Sequence, residues 1–118
     1  MQLDYSFIIP VYNRPEEVAE LLESLSLQEY TDFEVVIVED GSTIPSTTVI
    51  EAYRERWNIN YLLKENTGPG KSRNYGMQRA KGNYFLILDS DCIIPPAYLK
   101  EVNAALTTEY VDFFGGPD

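Results

Sequence analysis

The chain has 118 residues, 44% of them apolar and including nine Tyr, five Phe and one Trp, which suits one compact domain with a packed core and argues against two. A single cysteine, Cys92, and the lack of any histidine exclude a disulfide framework and a Cys/His metal cluster, and favour a reducing, cytoplasmic setting. The net charge of -10 excludes nucleic acid as a partner, since clustered Lys and Arg drive binding to phosphate backbones, yet a nucleotide diphosphate is admissible where local amides, a few basic side chains or a divalent cation offset the field.

In chain order, Met1-Gln2-Leu3-Asp4 lacks the basic and apolar regions of a signal peptide, and no window of the sequence reaches the run of about 20 apolar residues that a membrane span needs. Tyr5 to Val11 is a short apolar run that predicts a buried strand ending at Tyr12-Asn13-Arg14-Pro15. Pro15 suits the first turn of a helix, and Val18, Leu21, Leu22 and Leu25 recur at helical spacing, with Glu16, Glu17, Glu20 and Glu23 off that stripe or in the first turn. Phe33 to Val38 predicts the second strand, closed by turn chemistry at Glu39-Asp40-Gly41-Ser42. Ser46 is placed to cap a helix reaching about Trp57, and Asn60 to Lys64 predicts a short third strand.

A polar loop from Glu65 to Gly70 precedes a helix over about Lys71 to Ala80, with Gly82 as its left-handed stop. Tyr84 to Leu88 predicts a fourth buried strand that ends abruptly at Asp89-Ser90-Asp91. Pro95-Pro96 then opens a helix containing Leu99, Val102 and Leu106, and a last strand is expected near Tyr110 to Phe114. Strands alternating with helices in this way predict an α/β, Rossmann-like three-layer sandwich, a mostly parallel sheet flanked by helices over residues 1–118. Ligands of such sheets bind outside the carboxyl ends of the strands, which points to Tyr12-Asn13, Glu39-Asp40-Gly41 and Asp89-Ser90-Asp91.

Asp89 and Asp91 leave a buried strand one residue apart, a spacing that lets two carboxylates converge on one hard cation; a turn built on local Asp hydrogen bonds stands level with that reading on the motif alone. A carboxylate of Glu39-Asp40 can accept from a base N–H or a ribose hydroxyl, or can serve only as a solvated, capping loop tip. Lys71, Arg73 and Arg79 form a basic helix after a Gly-Pro-Gly turn; Arg73 is the one assigned to an anion, whereas Arg79 and Lys81 suit the negative end of the helix. Gly68-Pro69-Gly70-Lys71-Ser72 is not a phosphate-binding P-loop, because Glu65 stands where that motif needs its first glycine. Cys92 is assigned to packing, since a thiol beside two carboxylates suits neither magnesium nor a typical zinc set.

Taken together, Phe7-Ile8-Ile9-Pro10-Val11-Tyr12-Asn13-Arg14, Val35-Val36-Ile37-Val38-Glu39-Asp40-Gly41-Ser42, Gly68-Pro69-Gly70-Lys71-Ser72-Arg73-Asn74-Tyr75-Gly76 and Ala80 to Asp91 resemble, in order and spacing, the inverting glycosyltransferase family 2. The resemblance covers nearly the whole chain. It implies a GT-A fold, a nucleotide-diphospho-sugar donor, with uridine favoured, a glycan or lipid-linked acceptor, and a divalent cation, Mn2+ or Mg2+. By the same resemblance Pro10, Tyr12, Asn13 and Asp40 surround base and ribose, Arg73 approaches the nucleotide, Asp89 faces ribose and metal, and Asp91 ligates the metal. The family's base lies on a later segment, so the chain is expected to be the donor-binding part of a longer catalytic domain, inactive alone, with any attachment to the inner face of the membrane residing elsewhere. Glu39 stands where family members commonly have Asp, and Cys92 where many have a further Asp.

The competing classes are a noncatalytic nucleotide-binding domain and a receiver-type signalling domain. A receiver carries its acidic pair after the first strand, where this chain has Tyr12-Asn13. An Asp-x-Asp phosphatase likewise has its motif after the opening strand, and a dinucleotide dehydrogenase needs a Gly-x-Gly-x-x-Gly there.

Overall fold

The computed structural model describes residues 4–56 and 58–108. Strands and helices alternate as β1 (Tyr5–Val11), α1 (Pro15–Ser26), β2 (Phe33–Asp40), α2 (Thr47–Tyr53), β3 (Ile59–Lys64), α3 (Pro69–Arg79), β4 (Tyr84–Ile87) and α4 (Tyr98–Thr108). The four strands form one parallel sheet in the order β3-β2-β1-β4. The chain therefore winds outward from β1 to β3 and then crosses to the other side of β1, and the reversal falls between β1 and β4. In open parallel sheets that reversal parts the flanking loops and opens a crevice.

Alternation along the strands builds two cores. Phe7, Ile9, Val11, Val35 and Ile37 face one side, where they pack with Val18, Leu21, Leu22 and Leu25 of α1, Ile50 of α2 and Leu99 of α4. Ile8, Val36 and Val38 face the other, against Tyr75 and Met77 of α3. Among the described residues this is the expected three-layer α/β sandwich. The α1 stripe is at most 1% exposed, and each such side chain contributes about 2 kcal/mol of burial. Cys92 packs against the larger core, as assigned from the sequence.

Several expectations change at the element ends. The second strand runs through Asp40 rather than stopping at Val38, because Glu39 and Asp40 are buried, at 1% and 4% exposure. Ser46 stands at the N-cap of α2, but its hydroxyl makes no capping bond and the helix ends at Tyr53. The third helix begins at Pro69 and ends at Arg79, followed by an extended Ala80, so Gly82 is not its left-handed stop. Gly82 is needed instead for close approach: a Cβ there would lie 2.8 Å from the Tyr5 carbonyl carbon and 2.9 Å from the Ser6 nitrogen. The strand expected near Tyr110 to Phe114 lies outside the described residues.

Candidate functional site

Because side chains alternate, the two carboxylates that end β2 go opposite ways. Asp40 turns to the α3 side. Its Oδ1 accepts from Lys64 Nζ (2.9 Å) and from the Thr67 backbone N–H (2.8 Å), and its Oδ2 from the Gly68 N–H (3.0 Å). The Lys64 and Asp40 side chains are 11% and 6% exposed, so this is a buried ion pair, placed by the strand register that sets Asp40 opposite Lys64. Burial by itself raises the Asp40 carboxyl; the hydrogen bonds from Lys64, Thr67 and Gly68 and the Lys64 charge outweigh it and hold the group below its ordinary 3.8. Gly68, the N-cap residue just before α3, sits at φ 98°, a conformation that glycine alone adopts without strain.

Glu39 turns to the α2 side and is equally enclosed by donors: Ser42 Oγ–H, the Ser46 backbone N–H (2.9 Å) and the Tyr61 hydroxyl (2.6 Å). Burial, then the hydrogen bond to Glu39, push the Tyr61 hydroxyl up to about 12. Neither acid is the solvated loop tip that the sequence leaves open. Asn13, just past β1, sits in the left-handed region at φ 52°. Its N–H donates to Ser42 Oγ (2.8 Å) and its Oδ1 accepts from the Ile44 N–H (2.9 Å), which ties the loop after β1 to the loop after β2.

Pro10, Val11, Tyr12, Asp40, Pro69, Asp89 and Ser90 line one open cleft of about 180 Å³ at the carboxyl ends of β1, β2 and β4. It lies at the reversal of strand order. Four of the residues singled out from the sequence, Pro10, Tyr12, Asp40 and Asp89, thus meet around one space. Tyr12 is 49% exposed and offers a ring face at its rim. Small-molecule pockets commonly measure about 300–1,000 Å³, so the cleft has room for part of a nucleotide-sugar rather than all of it.

Asn13, Arg73 and Asp91 are not among the lining residues. Asp91 is exposed one residue beyond Ser90, whose hydroxyl donates to Glu17 Oε1 (3.1 Å). Arg73 projects from α3, and its Nε is buried with no hydrogen-bond partner among the described residues. Arg79 caps its own helix end: the guanidinium lies 3.6 Å from the Tyr75 ring centroid and donates to the Tyr75 carbonyl (3.1 Å).

Among the described residues no group of three or more His, Cys, Asp or Glu is arranged to hold a metal ion. Asp89 lines the cleft and Asp91 is exposed two residues further on, so the two could offer a cation hard oxygen donors with no third protein ligand among the described residues. That donor set fits Mg2+ or Mn2+ bound through one or two carboxylates and completed by substrate phosphates and water, and does not fit a closed structural site.

A second cleft, of about 300 Å³, opens at the amino ends of the strands between Asp4, Asp32, Glu34, Asn58 and Lys81, and contains none of the nucleotide- or metal-site candidates drawn from the sequence. Lys64, Glu17 and Tyr61 were missed as site residues. Lys64 had a signal, since parallel pairing of two strands that both end in charge brings those charges together. Glu17 and Tyr61 had none, because no pattern in the sequence predicts that Glu17 meets Ser90 or that Tyr61 meets Glu39.

The model of the family described as glycosyl transferase family 2 matches residues 6–117. The Staphylococcus aureus (strain Mu50) protein named poly(ribitol-phosphate) beta-N-acetylglucosaminyltransferase TarS is 37% identical over 114 residues, covering 93% of this chain and 20% of that protein. The chain thus spans about a fifth of that relative's length. The crystal structure of S. aureus TarS 1-349 in complex with UDP-GlcNAc superposes with a TM-score of 0.83 at 38% identity, over 89% of this chain and 31% of the other. The mannosyltransferase PcManGT from Pyrobaculum calidifontis, in complex with GDP-Man and Mn2+, gives a TM-score of 0.72 at 26% identity, over 89% of this chain and 32% of the other.

Proposed function

The chain belongs to glycosyl transferase family 2 and has its GT-A fold, and from that premise we propose that it supplies the donor site for transfer of a sugar from a nucleotide-diphospho-sugar to a glycan or lipid-linked acceptor. The observation that carries the reading is the meeting of Pro10, Tyr12, Asp40 and Asp89 around one cleft at the carboxyl ends of the strands. The likeness to a structure holding UDP-GlcNAc favours a uridine donor.

Each residue has a part that its surroundings permit. The exposed Tyr12 ring stacks on the base and Pro10 shapes the slot beside it. Asp40 is held ionised; its carboxylate has about four acceptor positions, three of them taken, which leaves one for a base N–H or a ribose hydroxyl. Asn13 fixes the backbone beside Tyr12 through Ser42 and Ile44. An unpaired buried donor costs about 1–3 kcal/mol, and a diphosphate oxygen is an acceptor suited to Arg73.

Asp89 and Asp91 would hold the divalent cation, Asp89 also facing the ribose. When bound, the cation supplies neutralisation of the diphosphate leaving group. The acidic side chains of the domain otherwise disfavour an anionic donor, since the net charge is -10. The base that takes the acceptor proton belongs, by family resemblance, to a later segment, so this chain carries the donor half of the reaction.

Calorimetric titration with UDP in Mn2+, in Mg2+ and in EDTA tests the reading, with Asp91→Ala as control. Binding in either metal should weaken at least tenfold in EDTA and in Asp91→Ala, about 1.4 kcal/mol or more. Equal affinity with and without metal would contradict the metal role, and no UDP binding in any condition would contradict the donor site.

A further inference from the structure

We propose that Glu39, which takes no part in lining the cleft, is a positioning residue that sets the cleft wall through Ser42 and Asn13; this deepens the donor-site reading and rests on it. Glu39 pairs with Val11 in the sheet, so it stands level with the last residue of β1, immediately before Tyr12 and Asn13. Its side chain faces away from Asp40 and is 1% exposed. A carboxylate in that position is retained only with hydrogen-bond donors around it, and three are supplied, two by the segment between β2 and α2 and one by β3.

Ser42 is the link. Its hydroxyl donates to Glu39 Oε2 and accepts the Asn13 N–H at 2.8 Å, so the buried charge orients the hydroxyl and the hydroxyl holds the backbone at Asn13. Asn13 is held at φ 52°, a backbone state that other residues enter at a cost, and Tyr12 precedes it at the cleft rim. The Tyr61 hydroxyl at 2.6 Å and the Ser46 N–H at 2.9 Å anchor the other oxygen to β3 and to the start of α2. All three donors are neutral, and hydrogen bonds to an ionised acceptor are about twice as strong as neutral ones. Glutamate reaches one methylene further than aspartate, which lets one carboxylate serve Ser42, Ser46 and Tyr61 at once.

The arrangement divides the labour of the acidic pair. Asp40 fronts the cleft and is tied to the loop before α3, while Glu39 works from behind on the opposite face and is tied to the loop before α2. Its influence on a nucleotide passes through Ser42 and Asn13.

Ser42→Ala removes the link at a partly exposed loop with no volume added, and Ser42→Thr keeps a hydroxyl there. Both are compared with the parent chain, and with Glu39→Gln, by UDP titration in Mn2+ at a temperature where melting curves show each variant fully folded. The Asn13 amide resonance is followed in each by 15N NMR. Expected are a loss of UDP affinity of about tenfold in Ser42→Ala and Glu39→Gln, an upfield move of the Asn13 amide proton without nucleotide, and recovery of both in Ser42→Thr. A folded Ser42→Ala that binds UDP as the parent does overturns the positioning role, whatever Glu39→Gln does to folding. A parent chain that does not bind UDP overturns the donor reading itself, and the two failures are told apart by the parent titration.

Discussion

At the scale of single residues, the site is organised by charges that the fold has taken out of water and then satisfied. Asp40 shows the balance most directly: burial opposes its ionised form, and Lys64 with two backbone N–H groups reverses the outcome. The folded carboxyl therefore lies below its ordinary 3.8, which makes the ion pair's contribution complete above that value and lost as pH falls through the lower, folded one. Replacing Lys64 with Met leaves a buried carboxylate with its two backbone donors only, and should cost about 3 kcal/mol near neutral pH. Urea denaturation of the parent and Lys64→Met across acidic pH checks this. The gap between them should hold above the ordinary carboxyl range and close in strong acid; a gap that is constant down to the acid limit would mean that the loss is packing and not the pair.

At the scale of elements, apolar runs were legible and their polar ends were not. Tyr5–Val11 is read from the sequence to the residue, because both faces of a central parallel strand are apolar. The end of β2 was misread because Glu and Asp signal turns, while the donors that bury them come from residues 3 to 28 positions away. Gly82 was misread for a similar reason: a glycine past a helix suggests a left-handed stop, and nothing local reveals that β1 lies against it. Gly82→Ala should therefore destabilise through contact with the Tyr5 and Ser6 backbone, by about 1–3 kcal/mol, with no gain from helix termination. The midpoint of urea unfolding measures it, and a neutral or stabilising substitution would show that the approach of the two segments is looser than the structure has it.

At the scale of the whole molecule, the sheet order explains where the site is. Winding β1, β2 and β3 outward and then placing β4 on the far side of β1 brings Asp40 and the Asp89-Ser90 turn to the same edge, on either side of the loop after β1. The sequence already indicated these loops, since parallel strands end at one edge. It did not indicate that Arg73 and Asp91 stand outside the cleft lining, because that depends on how α3 and the turn after β4 sit in three dimensions. It also did not reveal the second cleft at the amino ends of the strands, which is larger and lined by Asp4, Asp32 and Glu34. Size alone does not make it the nucleotide site: its acids repel a diphosphate, while the smaller cleft has an aromatic face at its rim and a carboxylate whose charge is already paired.

The two clefts lie at opposite edges of the sheet, so mapping the bound nucleotide separates them most directly. In 15N NMR spectra recorded while UDP and Mg2+ are added to the chain, binding at the carboxyl-end cleft should concentrate the shifts at Tyr12, Asn13, Asp40, Gly68, Asp89 and Asp91 and leave Asp32, Glu34, Asn58 and Lys81 unmoved. Shifts confined to the second group would place the nucleotide at the wrong end of the strands and contradict the donor site drawn from Pro10, Tyr12, Asp40 and Asp89.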